Sequence, residues 1–301
     1  MAGIRELRGR IKSIGSIKQI TRAMEMVATT KLRKFQDRAL ASRPYTEEIS
    51  GLVGHLASVL GSEVESRPLF QKGPGKKVAV LLVSSDRGLC GAYNSNIFRQ
   101  YETWFRGLDE GLEVDHFVYG KKGYSFLKSR GRKIERLFVE PILEKVDYRA
   151  AARTASALAE AFLGGEYSEV RVIFSAFVSM GKFVPTWIDF LPIQSEALAS
   201  QKLSSGAEEG TAATTGGDVI LEPDAATIFD RLVPRYLETR IYNALIEAIT
   251  SEYASRRMSM KNATDAAGDM QKELKAIYNR KRQEGITKDL LDIVGGAEAV
   301  K

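Results

Sequence analysis

The segment at residues 85–91, with the sequence SDRGLCG, is the part of this chain that comes nearest to a phosphate-binding loop. It lies between a buried-strand run and a predicted helix, where loops that hold phosphate on backbone N–H groups occur. Neither a GxxxxGKS/T nor a GxGxxG pattern is present there. The residue types therefore favour a tight structural turn, in which the glycines relax the backbone, made by Asp86, Arg87, Gly88, Cys90 and Gly91.

Nucleophilic or metal chemistry would need partners that the sequence does not supply. Cys90 is the only cysteine, and a helix N-terminus could lower the pKa of its thiol, but no motif provides a histidine base. A buried, unreactive thiol is the favoured interpretation. The two histidines, His55 and His116, are interpreted as packing or surface residues rather than ligands. We therefore predict no catalytic residue, no metal site and no cofactor.

The composition is that of an ordinary folded protein, with 301 residues of which 44% are apolar and 27% charged. No apolar run reaches the roughly 18 residues that a membrane span needs. The first residues lack the apolar stretch of a secretory signal. They are Arg-rich, as transit peptides are, but their apolar spacing continues into the residues that follow. We therefore interpret them as part of the folded protein.

The net charge of +6 originates at one end of the chain. Residues 1–45 contain eleven Lys and Arg and three Asp and Glu, a net +8, so the other 256 residues sum to −2. A basic helix there could bind nucleic acid, anionic lipid or an acidic partner surface. Its charges are interleaved with apolar residues, no nucleic-acid motif follows, and no Trp lies in residues 1–45 to anchor at a membrane.

The two ends of the chain are predicted to form long helices, because all eight prolines lie from Pro44 to Pro234 and proline disfavours helix interiors. The front helix has an apolar stripe at Ile4, Leu7, Ile11, Ile14, Ile17, Ile20, Met24, Val27, Leu32 and Phe35. A turn and N-cap at residues 222–224 begins the rear helix, and Pro234 predicts a kink or break within it. Because neither end has a long strict heptad repeat, we predict one antiparallel coiled coil.

The middle of the chain alternates strands and helices, which indicates an α/β domain inserted between the two long helices. Strands are predicted at 78–83, 114–119, 133–139, 170–177 and 183–191, and helices at 94–108, 123–129 and 148–163. Residues 196–217 are rich in Ala, Ser, Gly and Thr and predict a mobile loop before a short strand at 219–221. The expected domains are a coiled-coil helix at 1–60, the α/β domain at 75–195, the loop and strand at 196–221, and a second coiled-coil helix at 222–301.

Several separated motifs resemble the gamma subunit of F-type ATP synthase, of the bacterial type. They are residues 20–28 (ITRAMEMVA), 42–45 (SRPY), 86–91 (DRGLCG), 222–224 (EPD), 251–265 (SEYASRRMSMKNATD) and 278–287 (YNRKRQEGIT). The motifs occur in the order found in that family and span nearly the whole chain, so the resemblance is specific.

The resemblance implies an α/β fold in which a long antiparallel coiled coil of the N- and C-terminal helices carries an inserted α/β domain. It implies the central rotor shaft, a non-catalytic subunit that is not itself an enzyme. The shaft couples ion-driven rotation of the c-ring to conformational cycling of the catalytic beta subunits in ATP synthesis and hydrolysis. The implied partners are three alpha and three beta subunits, the epsilon subunit and the membrane c-ring, with no nucleic acid and no small-molecule substrate. The implied location is peripheral, on the cytoplasmic face of the bacterial inner membrane.

The resemblance also assigns roles to individual residues. Met24, Arg282 and Gln283 match shaft positions that meet the beta subunits. An apolar tip, held in the sleeve of the head, is matched by Ile286, Leu290, Leu291, Ile293 and Val294. Gly295 and Gly296 are expected to end that helix. Positions near the foot and the c-ring are matched by Lys31, Arg38 and Glu222.

Two other classes of function stay open on the sequence alone. An α/β enzyme could use the long helices to form oligomers, although the phosphate loop and the catalytic cluster that it would need are missing. A basic coiled-coil adaptor could bind nucleic acid through the front helix. Assembly with alpha and beta subunits would separate the rotor from both.

Overall fold

The computed structural model describes residues 2–108, 111–194 and 222–298. Its helices are α1 (Ala2–Leu60), α2 (Tyr93–Arg106), α3 (Lys121–Ser129), α4 (Tyr148–Leu163) and α5 (Ala225–Glu298). Its strands are β1 (Lys77–Val83), β2 (Glu113–Tyr119), β3 (Ile134–Phe138), β4 (Tyr167–Ser179) and β5 (Lys182–Leu191). Single 3₁₀ turns lie at Gly61–Glu63 and Leu143–Lys145. The chain divides into two compact units, unit 1 with residues 1–31 and 256–301, and unit 2 with residues 32–255.

The alternation of strands and helices predicted for the middle of the chain is confirmed. Each of the five strands and three helices predicted between residues 78 and 191 is present, and the helix predicted at 148–163 has those bounds. The loop predicted at 196–217 and the strand predicted at 219–221 lie outside the described residues.

The five strands of unit 2 form one sheet in the order β3-β2-β1-β4-β5. β1 is parallel to both β2 and β4, β2 is parallel to β3, and β5 is antiparallel to β4. Successive strands are added on one side of β1 as far as β3, and β4 is then added on the other side. Right-handed crossovers therefore place α2 and α3 on one face of the sheet and α4 on the other. All residues of β1 from Val78 to Val83 are buried, as expected for a central strand covered on both faces.

In unit 2, α1 and α5 pack antiparallel to one another. The rings of Phe35 and Tyr253 lie with centroids 5.4 Å apart. Farther along α1, Ser42 Oγ donates to Asn243 Oδ1 at 3.4 Å, and Asn243 Nδ2 donates to Thr46 Oγ1 at 3.0 Å. Residue numbers thus rise along α1 while those of their partners fall along α5.

Unit 1 consists of the remaining parts of the same two helices, again antiparallel. Thr264 Oγ1 donates to Thr21 Oγ1 at 2.8 Å. A Cβ atom added at Gly15 would lie 3.0 Å from Gln271 Nε2, and one at Gly3 would lie 3.9 Å from Lys281 Nζ. The predicted antiparallel pairing of the chain ends is therefore confirmed.

The apolar stripe predicted for α1 is wrong between Ile14 and Leu32. Ile17, Ile20 and Val27 are 51%, 60% and 55% exposed, whereas Leu32 is buried. The inward positions of α1 repeat every seven residues and are listed here: Ile4, Leu7, Ile11, Ile14, Lys18, Thr21, Glu25, Ala28, Leu32 and Phe35. Lys, Thr and Glu therefore occupy the seam where the apolar spacing predicted isoleucine and valine.

Helix α5 starts as predicted but does not stop where predicted. Asp224 caps it, because its carboxylate accepts from Thr227 N at 2.8 Å, and this bond holds the pKa of Asp224 below its usual range. The helix is unbroken at Pro234, so the expected break is absent. It also continues through Gly295 and Gly296 to Glu298, which overturns the predicted end. The glycine penalty of about 1 kcal/mol each does not end the helix before the good helix formers that follow.

Candidate interaction surfaces

In the turn after β1, the side chain of Asp86 contacts the segments that follow β2 and β3. Its carboxylate accepts hydrogen bonds from Lys121 N, at the start of α3, and from Leu143 N, each at 3.2 Å. Ser84 Oγ, one residue past the end of β1, accepts from Gly123 N at 2.7 Å. These bonds hold the connections that follow β1, β2 and β3 together.

Cys90 closes the turn against the rest of unit 2. Leu89 has φ 63° and Gly91 has φ 55°, so two left-handed residues reverse the chain around it. The Cys90 side chain is 2% exposed, which confirms the predicted buried thiol, and its Sγ lies 3.3 Å from Asn94 Nδ2. The Cys90 carbonyl accepts from Ser255 Oγ of α5 at 2.6 Å. Arg87 and Gly88 are exposed on the outside of the turn.

Helix α5 occupies the place where doubly wound sheets commonly bind ligands. Such sheets hold ligands beyond the carboxyl ends of the strands where the strand order reverses, which here is between β1 and β4. Beside this point Tyr93 OH donates to Ala248 O at 3.0 Å, and Ser251 Oγ donates to Ser175 O at 2.9 Å. Helix α5 therefore packs beside the point where the strand order reverses.

His116 is a packing residue inside the sheet, as predicted. It is fully buried, and its Nδ1 lies 2.7 Å from Lys133 O, which can only accept, so Nδ1 carries the proton. Nε2 lies 2.7 Å from Tyr101 OH and accepts from that hydroxyl. Burial lowers the pKa of His116 to about 4 and raises that of Tyr101. His55 is exposed on α1.

The predicted shaft residues all lie in unit 1. Met24 is half-buried on α1, while Arg282 and Gln283 are exposed on α5. The predicted apolar tip is exposed at every position, and the exposed fractions are Ile286 51%, Leu290 57%, Leu291 66%, Ile293 68% and Val294 59%. A row of apolar side chains this exposed is typical of a surface that a partner covers.

The predicted foot residues do not form one cluster. Arg38 Nη1 donates to Val146 O at 3.3 Å, so this guanidinium is engaged within unit 2. Lys31 is half-buried at the end of the α1 part of unit 1. Glu222 is exposed just before α5.

Two features were missed on the sequence. The first is the row of small buried residues with which α5 meets the sheet, at Ala244, Ala248, Ser251 and Ser255. Their spacing of four, three and four residues is a detectable signal of close helix packing. The second is a groove of about 940 Å³ in unit 1, lined by basic side chains of α1. The signal for this groove in the sequence was that Lys and Arg recur three or four residues apart along α1.

Comparison with known proteins identifies a family over nearly the full length. The family model described as ATP synthase matches residues 3–300. The chain is 36% identical over 301 residues to the ATP synthase gamma chain of Dehalococcoides mccartyi, covering 100% of both. It is 39% identical over 316 residues to that of Mycolicibacterium smegmatis, covering 99% of this chain and 98% of the relative. The gamma chain of an Acidovorax species is 37% identical over 305 residues.

Solved structures with this fold come from rotary assemblies. The rotor of the Euglena gracilis mitochondrial ATP synthase aligns with a TM-score of 0.61 at 17% identity over 95% of this chain and 99% of that one. The central stalk and c-ring structure from Tetrahymena thermophila gives a TM-score of 0.54 at 24% identity over 81% and 99%. At these identities the similarity concerns the fold. Within residues 2–108, 111–194 and 222–298, no helix is long and apolar enough to cross a membrane.

Proposed function

Because the chain belongs to the ATP synthase gamma chain family, we propose that it is the central rotor shaft of an F-type ATP synthase. The observation that carries the proposal is unit 1, which is built from the two chain ends alone, paired antiparallel at Thr21 and Thr264. A pair of long helices with exposed apolar side chains suits an element that other subunits surround.

The shaft couples rotation to chemistry without catalysing a reaction itself. A shaft whose sides differ contacts each of three surrounding beta subunits differently, so it favours a different beta conformation at each. Unit 1 has such sides, since α1 has a basic groove along one side and the exposed Ile17 and Ile20 elsewhere. Ion-driven rotation of the c-ring would then cycle every beta subunit through the same states.

The individual contacts are assigned by the same proposal. Met24, Arg282 and Gln283 meet the beta subunits, and the apolar tip from Ile286 to Val294 lies in the sleeve of the three alpha and three beta subunits. The exposure of the tip and of the two polar residues supports this assignment. Lys31, Arg38 and Glu222 lie towards the epsilon subunit and the c-ring, with Arg38 bonded also to Val146 O.

The proposed domains follow this division of labour. Residues 1–60 and 222–301 form the coiled coil, and residues 75–195 form the α/β domain. The segment 196–221, for which a loop and a short strand are expected, lies outside the described residues. The protein acts as a peripheral subunit on the cytoplasmic face of the bacterial inner membrane and takes part in ion transport through the complex.

Reconstitution with separately purified alpha and beta subunits tests the proposal. We expect the chain to join them in a complex and to restore ATPase activity to the mixture. The chain alone should not hydrolyse ATP. A chain that neither assembles nor restores activity, or that hydrolyses ATP by itself at enzyme-like rates, would contradict the proposal.

A further inference from the structure

Within unit 2, helix α5 is bonded to three separate segments through its side chains. The hydroxyls of Ser251 and Ser255 donate to backbone carbonyls of β4 and of the turn after β1, at 2.9 Å and 2.6 Å. The hydroxyl of Tyr253 donates to a carboxylate oxygen of Glu144 at 2.7 Å, in the 3₁₀ turn that follows β3. All three donors therefore lie in one short stretch of α5, residues 251–255.

These donors face two nearly opposite sides of α5. At about 100° of rotation per residue, Ser251 and Ser255 lie about 40° apart around the helix, and Tyr253 lies about 160° from each. All three side chains are buried. One side of the helix is thus held by the sheet and by the turn after β1, and the other side is held by the turn after β3.

The turn after β3 also holds α1. The carbonyl of Val146 accepts from Arg38 Nη1 at 3.3 Å, and Leu143 N donates to the carboxylate of Asp86 at 3.2 Å. Leu143 and Val146 are each 1% exposed, so this turn is anchored in the interior of unit 2. Residues 143–146 therefore connect α1, α5 and the turn after β1. We call the side chains that make these bonds the clamp, and they are Arg38, Asp86, Glu144, Ser251, Tyr253 and Ser255.

Directed bonds on opposite sides of a helix resist its rotation about its own axis. Apolar contact is non-directional, so a helix that is held by apolar contact alone can turn slightly without losing that contact. Hydrogen bonds weaken steeply when the donor leaves its preferred direction. A turn of α5 in either sense would bend or stretch bonds on both of its sides. The clamp therefore fixes the angle of α5 about its own axis within unit 2.

The clamp lies where α5 leaves unit 2 along the chain. Ser255 is the last residue of unit 2, and α5 continues from it into unit 1. We propose that Ser251, Tyr253 and Ser255 are positioning residues for torque, through which the α/β domain turns the shaft. The inference rests on the proposed function, in which rotation passes from the c-ring to unit 1.

The thermal fluctuation of the rotor measures the stiffness of the clamp. In a complex whose alpha and beta subunits are fixed to a surface, a bead is attached through Glu160→Cys, at an exposed position of α4 in unit 2. Cys90 is buried, so the bead is attached at the added cysteine. While the rotor pauses, the variance of the bead angle is inversely proportional to the torsional stiffness between the bead and the fixed subunits.

The clamp variant is Ser251→Ala, Tyr253→Phe and Ser255→Ala, and it keeps an aromatic ring at position 253 against Phe35. We expect the variance of the bead angle to rise about twofold in this variant, because three of the directed bonds on α5 are lost.

The control is Leu127→Ala, which leaves a cavity in the core beside the sheet and lowers the stability of the same unit without removing a bond of the clamp. Its variance should equal that of the parent chain, although urea unfolding should show that both variants are less stable than the parent.

Each other outcome also decides. A clamp variant with the variance of the parent chain would overturn the inference. Equal increases in the clamp variant and in Leu127→Ala would mean that unit 2 is loosened in general, which would also overturn it. If the clamp variant does not assemble, Tyr253→Phe alone decides, because it removes one bond and keeps the ring: a larger variance supports the inference and an unchanged variance contradicts it. If the parent chain itself neither assembles nor rotates, the proposed function fails and the inference fails with it.

Discussion

At the scale of single residues, hydroxyl groups connect α5 to the sheet. Ser255 donates to the carbonyl of Cys90, and Ser251 donates to the carbonyl of Ser175, both in buried positions. Backbone carbonyls that face a helix rather than water need such donors, because an unpaired buried acceptor costs free energy. Small polar residues therefore do two things here: they permit a close approach and they satisfy the carbonyls of Cys90 and Ser175.

Replacing Ser255 by Ala should lower the free energy of unfolding of unit 2 by about 1 kcal/mol. The loss is moderate because the Cys90 carbonyl still accepts from Tyr93 N at 3.2 Å. Urea unfolding followed by the fluorescence of Trp104 and Trp187, both in unit 2, measures the change. Ser125→Ala removes an exposed, local helix bond and should shift the midpoint little. Equal effects of the two substitutions would contradict the docking role of Ser255.

His116 should make unit 2 less stable in acid. Its pKa is about 4 in the folded protein, against 6.5 for an ordinary histidine. Between these values the unfolded chain binds more protons than the folded one, so stability falls as the pH falls from about 6.5 to about 4. The full loss from this group is about 3 kcal/mol. Nearby Asp115 opposes the shift and Arg132 adds to it.

His116→Gln should flatten the pH dependence in that window, because the variant cannot take up a proton there. Urea midpoints between pH 4 and pH 7 measure the slope. The exposed His55, replaced by Gln, is the matched control and should leave the slope unchanged. A parent slope that persists in the His116 variant would show that other groups cause the acid sensitivity.

At the scale of elements, α1 in unit 1 has different sides for different tasks. One side meets α5 through the polar Thr21, whose hydroxyl accepts from Thr264, and the half-buried Ile14 lies on the same side. Another carries the basic groove, and a third exposes Ile17 and Ile20. A seam with polar side chains holds its register by directed bonds such as that between Thr21 and Thr264, since hydrogen bonds are more specific than apolar contact.

The register of the two helices is testable by cross-linking. With Cys90 replaced by Ser, the pair Thr21→Cys and Thr264→Cys should oxidise to a disulfide within the chain, because the two native hydroxyls are 2.8 Å apart. A faster-migrating band on a non-reducing gel reports it. Thr21→Cys combined with Lys272→Cys, two turns away on α5, should stay reduced. Oxidation of the second pair and not the first would show a different register.

At the scale of the whole molecule, the net charge of +6 separates into regions with different uses. Its excess lies in residues 1–45, and five of those cations line one groove of unit 1. Unit 2 instead pairs many of its charges internally, as Lys133 does with Asp115 at 2.8 Å and Arg67 does with Asp230 at 2.7 Å. The cations that line the groove thus lie in unit 1, the part of the chain proposed to lie among other subunits.

The double variant Arg282→Ala and Gln283→Ala should reduce ATP-driven ion pumping by roughly five- to tenfold, because contacts that differ between beta states transmit the torque. A decrease of this size corresponds to the lower end of typical coupling free energies. Both side chains are exposed, so the fold should be unaffected. Pumping by membrane vesicles and circular dichroism measure the two effects. Glu273→Ala with Lys275→Ala, also exposed on α5, should pump normally. Unchanged pumping in the first variant would remove both residues from the beta contact.

Local patterns were sufficient to predict the elements. The alternation between residues 78 and 191, the long helices at both ends and the cap at Asp224 all follow from periodicity and capping, which involve neighbours within a few residues. The resemblance of the separated motifs to the gamma family, which the comparison confirms, needed the sequence alone. The buried Cys90 was also predictable, because no partner for reactivity accompanied it.

Long-range packing decided the rest. An apolar stripe does not determine which of two adjacent rows on a helix faces its partner. Ile17 and Ile20 were therefore predicted to face α5, but both are exposed, whereas Lys18 and Thr21 are half-buried and Thr21 bonds to Thr264 of α5. The partners of Ser255 and of Thr21 lie 165 and 243 residues away, beyond the reach of any local rule. The packing of α5 beside the sheet and the basic groove of unit 1 are consequences of that long-range packing, since both depend on which distant side chains meet.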